Sequence, residues 1–223
     1  MSWDVVFFTV AMAALAVAAS LPLALALAWL LARKNWPGKF LLDTVVTVPL
    51  VLPPVATGFG LLLLLGRQGW LGSRLEQWFG VEIVFTWKAV VAAMAVMALP
   101  LMVRTARVGF EAVDPQLEDA ARTLGAGPWK VFWQITLPLA RRGVLGGVVL
   151  GFARALGEFG ATIVVAGNIP GRTTTIPLAI YTDVLLGDNS AALRLMAISL
   201  LIAFAAIAMG ERLARPVSGT VGR

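Results

Sequence analysis

Residues 5–32 read VVFFTVAMAALAVAASLPLALALAWLLA, twenty-eight positions without a charge. About 20 apolar residues suffice to cross the hydrocarbon core of a bilayer. Lipid offers the backbone no hydrogen-bond partners, so a run of this length has to be helical. Only Asp4 is charged ahead of it, and no basic stretch precedes it, so the run does not read as a cleaved signal peptide. Further apolar segments place expected spans at 5–32, 41–65, 86–103, 143–166 and 191–210. Polar connections fill 33–40, 66–85, 104–142 and 167–190, with a tail from 211. The fold class that follows is an all-α integral membrane protein of about five transmembrane helices, with residues 1–223 forming a single domain. With 59% hydrophobic and 13% charged residues, the chain could not dress a water-soluble surface.

Orientation follows from the basic residues. Arg33, Lys34, Lys39, Arg104, Arg107, Arg122, Lys130, Arg141, Arg142, Arg212, Arg215 and Arg223 occupy one alternate set of connections, twelve in all. The other set holds five, namely Arg67, Arg74, Lys88, Arg172 and Arg194, while Arg154 lies within a span. The positive-inside rule puts the richer set in the cytoplasm, so the N-terminus is expected outside and the C-terminus inside. Residues 104–142 become the main cytoplasmic loop.

Two spans carry interruptions. The second contains Pro49, Pro53, Pro54, Gly58 and Gly60. Proline deletes a helix hydrogen bond and crowds the preceding turn. Broken backbone is tolerated at membrane depth where protein or a water-filled cavity surrounds it. A kinked packing helix and a helix lining a solute path both fit. The fourth span has Gly143, Gly147, Gly151 and Ala155 at four-residue spacing, a smooth ridge that lets another helix approach closely. Whether that neighbour belongs to the same chain or to a second copy is left open by the sequence. Arg154 and Glu158 follow, four apart and expected on one helix face. Charges inside a membrane usually pair or face a cavity. They read either as a self-neutralising clasp or as part of a gate or anion path.

The absences are informative too. Without Cys or His there is no disulfide, no thiolate chemistry, no Cys/His zinc site and no Ser–His triad. No G-x-x-x-x-G-K-[ST] loop is present to hold nucleotide phosphates. The basic residues sit beside spans without interleaved aromatics, which argues against nucleic acid. No catalytic or metal-ligating constellation emerges.

The large cytoplasmic loop contains EDAARTLGAGPWKVFWQITLP at 118–138. Asp114-Pro115 is a helix start, a capping side chain followed by proline at the first helical position. Glu118 and Asp119 lie near the first turn, where the helix dipole favours acids. Leu117, Ala120, Ala121 and Leu124 recur at helical spacing and form one small apolar face. Gly125 is expected to end the helix in a left-handed conformation. Gly127-Pro128 opens a second helical stretch that Pro138 is expected to stop. A helix folded back on its own loop and a helix docked on a cytoplasmic partner both fit this pattern.

The same segment resembles the cytoplasmic loop of ABC importer permeases, E-A-A-x3-G-x9-I-x-L-P. Asp119, Ala120, Ala121, Gly125, Ile135, Leu137 and Pro138 match it in spacing, with Asp119 in place of the family's glutamate. The resemblance implies a coupling helix seated in a groove of a separate ATPase subunit. FARALGEFGAT at 152–162 and GNIPGRTTTIP at 167–177 resemble the oxyanion permeases for molybdate, tungstate and sulfate. Residues 37–60, the GRQGWLG stretch and TIP-x-AIY are most similar to the molybdate branch. The resemblance implies a multi-pass subunit of the bacterial inner membrane that imports molybdate. Its partners would be two ATPase copies, a periplasmic oxyanion-binding protein and a second copy of itself. ATP and Mg would be used by the ATPase, with no cofactor and no catalysis on this chain. Pro49, Pro53, Pro54, Thr57, Arg154, Glu158 and Thr162 are candidates for the pathway or its gate. Sulfate, thiosulfate or tungstate transport is an alternative. An ATPase-independent carrier would need its own coupling-ion site, for which Asp43 and Glu158 are the available acids. A purely structural assembly subunit is the third class.

Overall fold

The computed structural model describes residues 2–214, which are helices and their connections without strands. The order is α1 Ser2–Arg33, α2 Lys39–Val51, α3 Pro54–Leu65, α4 Trp70–Phe79, α5 Trp87–Glu111 and α6 Pro115–Thr123. There follow α7 Pro128–Val131, a π-helical turn Phe132–Thr136, α8 Leu137–Leu156, α9 Gly160–Val165, α10 Ile176–Leu185 and α11 Asn189–Ala214. Arg215 and Arg223, counted above on the basic side, lie outside the described residues.

The centre is α5, packed between α1 and α8. Hydrophobicity cannot drive helices together in lipid, so close packing of small residues must do so. On α1, Ala13, Ala16, Val17, Ala24, Ala28 and Leu31 form a buried stripe at helical spacing. On α5 the buried set includes Ala89, Ala93, Met94, Met97, Ala98, Met102, Val103, Ala106 and Phe110. The Gly143/Gly147/Gly151/Ala155 ridge of α8 faces α5 of the same chain. A Cβ built on Gly143 would meet the Gly109 Cα at 2.5 Å, and one on Gly147 the Met102 carbonyl oxygen at 2.9 Å. Bulky apolar side chains point the other way, among them Phe40, Leu63, Leu200, Leu201 and Phe204.

The contacts also set direction. Arg33 at the end of α1 reaches Val113 just past the end of α5, so the two helices run parallel. The chain must therefore return across the bundle between them, and α2 with α3 carries it. Gly143 against Gly109 places the start of α8 beside the end of α5, antiparallel to it. The backbone bond from Phe85 N–H to the Val165 carbonyl brings the end of α9 to the opposite face. Asp188 caps the last helix there. Its carboxylate accepts from the Ala191 N–H and the Ser190 hydroxyl, which hold it below the usual carboxylate range. That cap is present above the ordinary aspartate pKa and lost as pH falls through the depressed one.

Several expected boundaries move. Residues 41–65 are two helices bent by 112°. Leu52 and Pro53 each precede a proline and are pushed into extended backbone, with ψ of 145° and 132°. The helix therefore stops at Val51 and restarts with Pro54 in its first turn. The third span outlasts its apolar stretch and runs to Glu111, because Ala106 and Phe110 stay buried while Arg104 and Arg107 find Thr47, Asp43 and Glu111. Residues 104–142 are thus a helix end, α6 and a helix start rather than one loop. The fourth span breaks at Gly157–Phe159 and resumes as α9. The connections 66–85 and 167–190 contain α4 and α10.

Gly143→Ala should force the α5–α8 backbones apart, an overpacking cost of about 1–3 kcal/mol. Gly60→Ala, whose Cβ would meet nothing within 4 Å, should leave stability nearly unchanged. Thermal unfolding of the detergent-solubilised protein measures both.

Candidate functional site

At the basic end of the bundle, α6 forms as its sequence signals dictate. The Asp114 carboxylate accepts the Gln116 N–H at 2.9 Å, and Pro115 takes the first helical position. Gly125 adopts φ +86°, and the Ala126 N–H closes back onto the Ala121 carbonyl at 3.0 Å. The apolar residues face outward: Leu117 and Ala120 are exposed, Leu124 is 88% exposed, and Ala121 is half-buried. Asp119 is exposed as well, and Arg122 Nη1 donates to it at 2.8 Å.

The neighbouring acid points inward. Glu118 Oε1 accepts from Arg33 Nη2 at 3.0 Å and from the Thr136 hydroxyl at 2.6 Å. Arg33 Nη2 also donates to the Val113 carbonyl at 2.9 Å. Glu118 and Thr136 are both buried. Two adjacent acids thus divide between the body of the protein and its surface. The sequence singled out Asp119 by its spacing, but nothing in the pattern marks Arg33 or Thr136 as partners of Glu118.

The stretch after Gly127 departs from expectation at Pro138, which does not stop a helix. The Leu137 N–H bonds to the Phe132 carbonyl five residues back, so the ladder has already shifted register before the ring arrives. Proline then occupies the second position of the resumed α8, and the helix continues to Leu156. Phe132 anchors this turn between Trp29 of α1 and Phe110 of α5, both at 6.2 Å between ring centroids. Ile135 is half-buried in the π-helical turn, Leu137 is half-buried beyond it, and Pro138 is exposed. Trp129 stacks on Phe132, Trp133 meets it edge-on, and both remain exposed.

Within the bundle, the two helix breaks meet. A Cβ on Gly160 would touch Pro54 Cβ at 2.8 Å, and one on Gly58 the Ala161 Cα at 2.7 Å. The first turns of α3 and α9 therefore cross in backbone contact. Thr57 and Thr162 flank that crossing, and the hydroxyl oxygen of each is buried without a hydrogen-bond partner. Arg154 Nη1 donates to Glu158 Oε2 at 2.7 Å, and Glu158 Oε1 accepts the Ala161 N–H at 2.7 Å. Glu158 is 1% exposed and lies in the break, not on the face of a continuing helix. Its carboxylate ties α8 to α9 after Gly157 has ended the first. Pro53 and Pro54 sit at the bend beside this crossing. Pro49 stays apart, inside α2 on the far side of the 112° bend.

Residues 6–218 match the family of binding-protein-dependent transport system inner membrane components. The chain belongs to that family. It is 51% identical over 222 residues to the molybdenum transport system permease protein ModB of Escherichia coli K12, covering 99% of this chain and 97% of that one. The Haemophilus influenzae ModB is 49% identical over 205 residues, 92% and 90% of the two chains. Among solved structures, a chain of the MetNI methionine ABC transporter in an inward-facing crystal form superposes with a TM-score of 0.75. That likeness covers 96% of this chain and 95% of the other at 16% identity, and so concerns the fold.

In this inner membrane component the GNIPGRTTTIP segment is an ordered loop on the face opposite α6. Gly167 and Gly171 take positive φ, and the Thr173 hydroxyl accepts the Ile169 N–H at 2.9 Å. Thr174 donates to Asn168, which donates in turn to Thr182 of α10. Thr9 of α1 accepts the Ile176 N–H at 2.9 Å, a link over 167 positions that local sequence does not announce.

The Arg154–Glu158 pair generates a stability prediction. Arg154→Met should cost about 3–5 kcal/mol by stranding the buried Glu158 carboxylate, Glu158→Leu should cost less because Arg154 stays partly exposed, and the double substitution should recover most of the larger loss. Thermal unfolding would contradict this if the double were no more stable than either single variant.

Proposed function

We propose that this chain is the membrane-spanning subunit of an ATP-driven molybdate importer. Identity of 51% along nearly its whole length to a molybdenum permease carries the substrate assignment. The assembly would contain a second copy of the chain, two ATPase subunits at the basic face and a periplasmic oxyanion-binding protein at the other. ATP and Mg belong to the ATPase, and this chain contributes the path and the lever.

The lever is α6 with the turn behind it. Asp119, Ala120, Ala121 and Gly125 form the part presented to the ATPase, and Ile135, Leu137 and Pro138 join it to α8. Small exposed residues permit close seating, and the charged flank restricts orientation. Closure of the ATPases would then favour one access state of the permease and hydrolysis the other, a shift between populations rather than a push on a rigid body.

The path runs by the crossing of α3 and α9. Pro53, Pro54, Thr57 and Thr162 supply kinked backbone and hydroxyl groups, weak ligands suited to an anion that has to leave again. Pro49 shapes the approach from the basic face. Arg154 and Glu158 hold the broken helix in place beside the path, with the carboxylate offsetting most of the arginine's field.

Proteoliposomes holding the complex should accumulate labelled molybdate only with ATP inside the ATPase compartment. Excess tungstate should compete strongly and sulfate weakly; strong sulfate competition would reassign the substrate, and uptake without ATP would overturn the importer reading. Ala121→Glu or Gly125→Pro should abolish uptake and ATPase association while the chain still inserts, as membrane fractionation and co-purification would record.

A further inference from the structure

Arg33 ends α1, eighty-five positions before Glu118, and no local rule pairs them. Their ion pair is nevertheless an enclosed link between α6 and the rest of the protein. The two side chains are 14% and 8% exposed. Arg33 Nη2 holds the Val113 carbonyl in the α5–α6 turn and the Glu118 carboxylate together, and Thr136 adds its hydroxyl from the turn preceding α8. Four segments converge on one guanidinium and one carboxylate oxygen.

The covalent connection that follows α6 is far less constraining. It leaves through Gly125 and Gly127, around whose Cα atoms a side chain would meet nothing within 4 Å. Leu117, Asp119, Ala120 and Leu124 on the outward face of α6 are exposed. Connectivity on the Gly125 side would let the end of α6 swing on those glycines, whereas its start follows α5 through a short turn in which Val113 is buried. An exposed ion pair would yield under load, since such pairs contribute little. A buried one resists, because separating it leaves a charge without a partner. Bonds to ionised groups are also the shorter and stronger kind.

We propose that Arg33, Glu118 and Thr136 are positioning residues that lock α6 to the end of α1 and to the turn before α8. A displacement imposed on α6 is thereby delivered to two bundle helices at once, one of them remote in sequence. The proposal rests on the importer reading above, in which α6 receives that displacement from an ATPase. It assigns α1 a direct part in the stroke, and it accounts for the burial of Glu118 beside an exposed Asp119.

The test uses the reconstituted importer and reads ATP hydrolysed per oxyanion imported, alongside the amount of ATPase that co-purifies. Glu118→Ala should lower the amount of folded chain. Arg33→Met/Glu118→Leu removes both charges and should restore folding and ATPase binding. Its ratio of ATP to oxyanion should nevertheless rise by about tenfold, within the range of energetic coupling between sites. A double variant with the unaltered ratio would overturn the proposal, since the contacts would then serve stability alone. Should the double variant fail to reach the membrane, Thr136→Val decides the matter, because it removes one hydrogen bond and strands no full charge. A raised ratio there, reversed in Thr136→Ser, supports the lock, and an unchanged ratio overturns it. Failure of the unaltered chain to bind any ATPase is a separate result that removes the importer reading and the lock with it.

Discussion

The close approach of α5 to its two neighbours is the constraint on which everything else depends. Gly109 and Gly143 leave the α5 and α8 backbones almost touching, and a stripe of alanines on α1 does the same on the other side. In lipid this shape complementarity replaces the hydrophobic effect as the source of cohesion. It also explains why alanine and methionine dominate the buried face of α5 while many leucines and phenylalanines face outward. The end of α5 carries Val113 and then α6, so the position of α6 is inherited from this packing.

Among the described residues the two buried carboxylates, Glu118 and Glu158, each draw a partner from a place where a helix stops being regular. At the basic end, the π-helical turn aims Thr136 at Glu118 while Phe132 wedges between α1 and α5. Inside the bundle, the breaks at Pro53 and Gly157 bring two helix starts into contact, and Glu158 bonds the α9 backbone while paired with Arg154. Each irregularity frees backbone groups that a straight helix would have consumed. Both sites are relayed through α8, whose ends they occupy.

Local signals were legible where one residue decides one conformation. Asp114, Pro115 and Gly125 bound α6 in the sequence as they do in the structure, and the Pro53-Pro54 pair announces an interruption. Pro138 misleads because its effect depends on the hydrogen-bond register upstream, which the widened turn at Phe132–Thr136 had already changed. The apolar stretch of the third span understates α5, because helices extend as far as their charges find partners. Arg154 and Glu158 pair at the four-residue spacing expected of them, although α8 ends at Leu156 and Glu158 lies in the break that follows.

From its sequence alone, this chain is a multi-pass helical membrane protein with a basic cytoplasmic side and a capped helix projecting there. Those properties follow from run length, charge placement and turn residues, each acting within a few positions of itself. Only the tertiary structure decided that the glycine ridge of α8 serves α5 of the same chain, or that α3 crosses α9 beside Thr57 and Thr162. It alone placed Arg33 against Glu118. Such contacts join residues tens of positions apart, and their partners are chosen by the packing of whole helices, a choice no local pattern encodes.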